Sequence, residues 1–138
     1  MKLEEKGHIQ PPIVLNEPME SVSKKVQTWD KVISATHWNL FNQNEPDGAD
    51  FYVLEEELGH IHLDGDLHLA TQGALQKVLL DKKLASRFPY SPGWVQFSIQ
   101  SEKDAKHALW LMELNYKRLM GSSMQELQEL IDHYSNTL

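Results

Sequence analysis

Apolar residues recur every three or four positions in four segments of the chain, which predicts four amphipathic helices. The first predicted helix runs from Glu20 to about Lys31, and the second runs from Thr71 to about Lys83. Ser101 and Ser123 are each followed three residues later by an acidic residue, which is a start signal for the third and fourth helices. The third helix has the longest apolar stripe, formed by Ala105, Ala108, Leu109, Met112, Tyr116 and Leu119.

Between these helices lie short segments that are rich in β-branched and aromatic residues or that alternate apolar with polar positions, as strands do. They cover residues 32–41, 51–54, 58–63, 66–70 and 94–99, and the polar segment 42–50 (NQNEPDGAD) is predicted to be a turn. This order of elements predicts an α+β fold: an antiparallel sheet of about four to five strands with helices packed on one face, in a two-layer sandwich.

Three units are expected along the chain. Residues 1–18 contain three prolines and are predicted to form an irregular arm, residues 19–120 to form the α+β domain, and residues 121–138 to add a C-terminal helix. A total of 138 residues is the size of one ordinary domain.

Composition narrows the class of protein. The net charge of −7 makes a nucleic-acid backbone an unfavourable partner, and no apolar run approaches the length of a membrane span. The first residues lack the apolar core of a signal peptide, so we expect a soluble, cytoplasmic protein. Because the chain has no cysteine, only histidine and carboxylate side chains could bind a transition metal. Composition does not predict an oligomeric state.

The segment EEELGHIHLDGDLHLA (residues 55–70) holds three histidines and five acidic residues. Its Asp64-Gly65 dipeptide favours a two-residue hairpin turn. That turn places His60 and His62 on one face of the sheet, together with leucines of the next strand, and places His68 on the opposite face. A second two-residue turn at Glu55-Glu56 would add Phe51 to the face of His60 and His62.

Three interpretations of the His60/His62 pair remain open. A metal site needs a third ligand on the same face, which this register does not supply, so we expect no bound metal. The two imidazoles could instead be hydrogen-bonded core groups. They could also be a catalytic or ligand-polarising pair, because a neutral imidazole in a dry pocket is a useful general base.

Two segments resemble a known family: ELGHIH (residues 57–62) and GWVQFSIQSEKDAKHALWLMELNYKR (residues 93–118). Together with ATHW (residues 35–38), they are similar to the small bacterial luciferase-domain proteins over about residues 20–120. The activity of that family is mostly unknown. Its name implies a relation to the fungal luciferases, which oxidise a small polyphenol-like pyrone with molecular oxygen and need neither flavin nor metal.

Two functional hypotheses follow. In the first, the protein binds a small, largely apolar or aromatic ligand near the histidine pair and has a cofactor-independent, oxygenase-like activity. His60 and His62 would be the catalytic residues, and His37, Phe51 and Trp94 would bind the ligand. In the second, the protein is a non-catalytic protein-interaction module and its histidines are structural.

Overall fold

The structure is a computed structural model that describes residues 1–7, 9–42 and 44–138; positions 8 and 43, in the predicted arm and turn, lie outside the described residues. The predicted α+β fold is confirmed. The elements in chain order are α1 (Met19–Val26), β1 (Val32–Trp38), β2 (Pro46–Val53), β3 (Glu56–His62), β4 (Asp66–Leu69), α2 (Gly73–Asp81), β5 (Ser86–Arg87), β6 (Val95–Ser98), α3 (Glu102–Leu119) and α4 (Met124–Thr137).

The described strands form one six-stranded sheet in the order β1-β2-β3-β4-β6-β5, and every neighbouring pair is antiparallel. The sheet has more strands than the four to five predicted. The two-residue strand β5 is too short to produce a hydrophobic pattern. Strand β2 begins at Pro46, inside the segment that was predicted to be a turn.

One face of the sheet packs against the helices and forms the apolar core. The side chains of Phe51, Ile61, Leu67 and Leu69 on this face are fully buried. Helix α3 packs against the same core, and its buried face differs in part from the predicted stripe. Of that stripe, Ala105, Ala108 and Met112 are buried, whereas Leu109, Tyr116 and Leu119 are only partly buried. The other buried residues of α3 are Leu111, Leu114 and Asn115.

Local hydrogen bonds explain where the helices begin. The Ser101 hydroxyl accepts the Asp104 amide at 3.1 Å, and Ser123 forms a full capping box with Glu126, so both predicted starts are confirmed. The prediction for α2 was wrong at its first residue. The helix begins at Gly73 with Gln72 as its N-cap, and the Thr71 hydroxyl donates to the carbonyl of Gly93 at 2.8 Å.

The β3–β4 hairpin corrects the predicted register by one residue. The hairpin loop has three residues, Leu63 to Gly65, and Gly65 has a φ of 98°. A three-residue loop with glycine in this left-handed region is a common hairpin connection. As a result His60 pairs with His68, and because opposed residues share a face, His60, His62 and His68 all lie on the same side of the sheet.

The β2–β3 hairpin also differs from the prediction. Its two-residue turn is Leu54-Glu55, and a register shift next to Phe51 follows. Asp50 therefore stands opposite His60, and Phe51 points into the core on the other face. The face that carries the histidines is thus not the apolar face that the sequence predicted.

No helix in the residues that the structure describes combines the length and the apolar character that crossing a membrane requires.

Candidate functional site: a histidine–carboxylate cluster

Four histidines from strands β1, β3 and β4 meet on the face of the sheet opposite the helices. His37 comes from β1, His60 and His62 from β3, and His68 from β4. The rings of His37 and His60 are stacked with centroids 4.1 Å apart, and the ring of His62 stands edge-on to both at 4.8 and 4.9 Å. The ring of His68 completes the cluster, 4.5 Å from that of His62.

A glycine allows two of these rings to meet. Gly48 on β2 lies directly between His37 and His62 in the strand register, and its φ is 148°. A Cβ atom at this position would lie 2.0 Å from the backbone oxygen of Ile61. No larger residue fits there without moving β2 away from β3.

Three of the four imidazoles are each paired with a carboxylate through Nδ1. The Nδ1 atom of His37 lies 2.7 Å from Oδ1 of Asp50, and that of His62 lies 2.9 Å from Oδ2 of Asp47. The Nδ1 atom of His60 lies 2.8 Å from Oε2 of Glu57. In the neutral tautomer with the proton on Nδ1, each of these rings donates to its carboxylate, and its Nε2 atom keeps a lone pair.

The fourth imidazole is placed differently. The Nδ1 atom of His68 lies 3.2 Å from Nε2 of His60 and 3.0 Å from Nε2 of His62. Its ring packs against that of Phe88, with centroids 4.1 Å apart. One nitrogen of His68 therefore faces two imidazole lone pairs at once.

Asp50 is the buried anion of the cluster. Burial alone would raise the pKa of its carboxyl group, but the hydrogen bond from His37 and the positive charges around it outweigh burial and lower this pKa. One of those charges is Lys6, whose ammonium group contacts the second oxygen of Asp50. The N-terminal arm thus closes over this part of the sheet.

Glu57 has the opposite electrostatic behaviour. Burial raises its pKa to about 7, and the neighbouring Asp50 charge adds to that increase, whereas the amino group of Met1 opposes it. Glu57 is only 8% exposed, and its carboxyl group can exchange a proton near neutral pH.

Burial also keeps two of the histidines neutral. Desolvation lowers the pKa of His60 well below its usual value, and the nearby His37 lowers it further. Burial and the neighbouring His62 lower the pKa of His68 to about 4. Both rings are therefore uncharged at neutral pH.

A cavity of about 560 Å³ opens beside the cluster. Its polar lining includes His37, His60, Asp50 and Glu57. Its other walls include apolar and amphipathic side chains: Trp38, Leu40, Tyr52 and Met1. A mostly apolar cleft with a few convergent polar groups is the usual form of a small-molecule site.

The structure brings together four of the five predicted site residues. His37 and His60 line the cavity, and His62 adjoins them in the cluster. Trp94 contacts His60, with ring centroids 5.6 Å apart, although it lines a smaller neighbouring cavity of about 270 Å³. Phe51 is not part of this group, because it is fully buried in the core on the other face.

The sequence analysis missed the partners of the histidines. Asp47 and Asp50 belonged to a segment predicted to be a turn, and His68 was assigned to the wrong face. The prediction that no metal binds assumed that His68 lies on the opposite face, and that assumption is wrong. The sequence does contain a sign of the longer strand: Gly48 and Asp50 continue the alternation of the two strand faces from residues 51–53 back into the segment predicted to be a turn.

The fold and the site together define an α+β protein with a histidine–carboxylate cluster on an antiparallel sheet. The family model described as Luciferase domain matches residues 55–115, which confirms the predicted resemblance over that part of the chain. The match includes His60, His62 and His68, whereas His37 and Asp50 precede it. No curated protein and no solved structure matches the chain.

Proposed function

We propose that the protein binds a small, largely apolar or aromatic molecule in the 560 Å³ cavity, with a hydroxyl or carbonyl oxygen of that molecule directed at the polar lining. The observation that carries this proposal is the lining itself. Trp38 and Leu40 offer apolar surface, while Glu57 and His60 offer groups that accept and return a proton.

The catalytic form of the proposal concerns a phenol or an enol. The Glu57–His60 pair would accept the hydroxyl proton, and His62 would support His60 from within the cluster. The resulting anion would form a carbon–oxygen bond to molecular oxygen, so that the ligand is oxidised and the oxygen is reduced to a ligand peroxide. The Glu57–His60 pair would then return the proton to the peroxide oxygen. The oxygenase-like reaction is balanced by this step and needs no further reductant.

The alternative function, a protein-interaction module with structural histidines, has less support. A structural histidine bonds to groups that do not exchange protons at neutral pH, as His107 does: its Nδ1 bonds to the Tyr134 hydroxyl and its Nε2 to the Leu84 carbonyl, both at 2.7 Å. The histidines of the cluster instead bond to carboxylates and to each other.

The probe 4-nitrophenol tests the proposal, because its absorbance distinguishes the phenol from the phenolate. In buffer that contains EDTA, we expect 4-nitrophenol to bind the protein and to quench the fluorescence of Trp38. We also expect binding to increase the fraction of the probe that is phenolate at neutral pH. The variant Glu57→Gln preserves the shape of the side chain and should bind the probe without that increase. The exposed Glu129→Gln is the matched control and should behave as the wild type.

Two results would contradict the proposal. One is the lack of any quenching by 4-nitrophenol or by 2-pyranone at millimolar concentration. The other is quenching that persists in full when Trp38 is replaced by phenylalanine, because the probe would then bind elsewhere. Oxygen uptake with added phenols measures the catalytic form separately from binding.

A further inference from the structure

We propose that His37, His60, His62 and His68 bind one divalent transition-metal ion. One ring nitrogen from each of His37, His60 and His62 lies within 4.8 Å of the other two, and all four residues come from strands of one rigid sheet. The inference does not rest on the proposed function, because an ion can bind this cluster whether or not the cavity holds an organic ligand.

The carboxylates identify the nitrogen that each ring would use. Asp50, Glu57 and Asp47 occupy Nδ1 of His37, His60 and His62, which makes Nε2 the available ligand atom. Metal-binding histidines almost always donate their other ring N–H to a carboxylate, a carbonyl or water. Here three rings in succession have a carboxylate in that role.

The spacing around His68 fits the coordination sphere of a metal. Its Nδ1 lies 3.2 and 3.0 Å from Nε2 of His60 and His62. Two nitrogens bound tetrahedrally to zinc, each at about 2.0–2.1 Å, are about 3.3 Å apart. One ring nitrogen from each of His37, His60 and His62 lies within 4.8 Å of the other two, so these nitrogens need to close by at most about 1.5 Å to reach the same spacing. The stacked rings of His37 and His60 also need to tilt apart for both to bind one ion.

A shortage of protons also favours a cation at this point. When Nδ1 of His60 and His62 donates to the carboxylates, the two Nε2 lone pairs share a single N–H, that of His68. A metal ion placed among these nitrogens satisfies every lone pair at once. His107, whose two nitrogens each have a separate partner, shows no such shortage.

The ligand set determines the class of ion. Imidazole nitrogens suit zinc, copper, nickel and iron(II), whereas magnesium and calcium prefer oxygen ligands. Because the three carboxylates face Nδ1 rather than the space between the Nε2 atoms, they hold the ligands in position and supply negative charge nearby. Zn²⁺ and Co²⁺ are therefore suitable probes.

The test uses the full chain without a histidine tag, stripped of metal with EDTA and then dialysed. We expect calorimetric titration with Zn²⁺ to give one equivalent per chain with a Kd of about 1 µM or lower. We also expect Co²⁺ to produce visible absorption bands of a nitrogen-ligated ion, and the thermal unfolding midpoint to rise with Zn²⁺.

Two variants and one control assign the ion to the cluster. His62→Gln and His37→Gln retain polar side chains of similar reach, and each should weaken Zn²⁺ binding at least about 10-fold. Circular dichroism confirms that they fold. The matched control is His133→Ala on an exposed position of α4, which should leave Zn²⁺ binding unchanged.

Any of three outcomes would overturn the inference. The wild type could bind neither ion at micromolar concentration. Zn²⁺ binding could survive unchanged in both folded cluster variants. It could also be lost in His133→Ala, which would place the ion on the surface. Failure of 4-nitrophenol binding would leave this result intact, because the ion titration contains no organic ligand.

Discussion

The two faces of the sheet differ in nearly every physical property. The face under the helices is formed by fully buried aliphatic and aromatic side chains such as Ile61, Leu67 and Leu111. The opposite face carries four histidines and three carboxylates, each within hydrogen-bonding distance of at least one other member, and is covered by the N-terminal arm and by Phe88. Residues that follow one another along a strand therefore alternate between the packed core and the histidine–carboxylate cluster.

This contrast indicates which face stabilises the fold. Apolar burial is the main favourable contribution to folding, whereas buried carboxylates and imidazoles cost free energy unless each is paired. The cluster meets that condition through its internal pairs, the contact of Lys6 with Asp50 and the contact of the Met1 amino group with Glu57. We therefore expect the helix-covered face to determine stability and the histidine face to determine binding.

The largest expected effect is on the helix-covered face. Leu111 is fully buried, so Leu111→Ala should lower the free energy of unfolding by ~2–5 kcal/mol through lost burial and the cavity left behind. Urea unfolding measures this change. Leu130→Ala on the exposed side of α4 is the matched control and should cost less than ~0.5 kcal/mol. Equal effects would show that the two leucines have similar environments.

The sequence was informative about the helix-covered face for a definite reason. Its helices have periodic apolar residues and recognisable caps at Ser101 and Ser123, and both features are local in sequence. The fold class followed from them. The candidates His37, His60, His62 and Trp94 also lie close together in the structure, whereas a role for them in binding or catalysis stays a prediction.

The histidine face could not be predicted to the same degree, because strand register depends on a single residue. Asp64-Gly65 fits a two-residue loop, but the chain uses three residues with Gly65 in the left-handed region. That shift moves His68 to the other face. Asp50 was missed because proline and glycine, which are depleted from strands, precede it in β2.

The second prediction concerns acid sensitivity on the histidine face. The pKa of His68 is lowered to about 4 in the folded protein by burial and by His62, against about 6.5 in the unfolded chain. Between these values the unfolded state binds more protons, so the free energy of unfolding falls as the pH falls from 6.5 towards 4. The free energy of unfolding that is lost between pH 6.5 and 4.5 should be about 2 kcal/mol smaller for His68→Asn than for the wild type.

Urea unfolding of metal-free protein at the two pH values measures this difference. The raised pKa of Glu57 has the opposite effect, since the folded state holds its proton more tightly, but Glu57 is present in both proteins and its contribution cancels in the comparison. Identical pH dependence of the wild type and His68→Asn would show that His68 is not held neutral by burial.

The smallest effect separates binding from stability. Asp47 pairs with Nδ1 of His62, but its side chain is 33% exposed, so water partly screens the interaction between its charge and the imidazole. Asp47→Asn should therefore weaken Zn²⁺ binding by about 10-fold, the lower end of the usual range for carboxylates behind a metal ligand and equivalent to ~1.4 kcal/mol. The free energy of unfolding without metal should change by less than ~0.5 kcal/mol.

Asp81→Asn is the matched control for this change, because Asp81 pairs with the exposed Lys77 and lies on α2, away from the cluster. It should alter neither Zn²⁺ binding nor unfolding. If Asp47→Asn instead lowered the stability of the metal-free protein as much as Leu111→Ala does, the histidine face would be part of what holds the fold together. Weaker Zn²⁺ binding at unchanged stability is the result expected if carboxylates on this face orient the imidazoles for a metal ion.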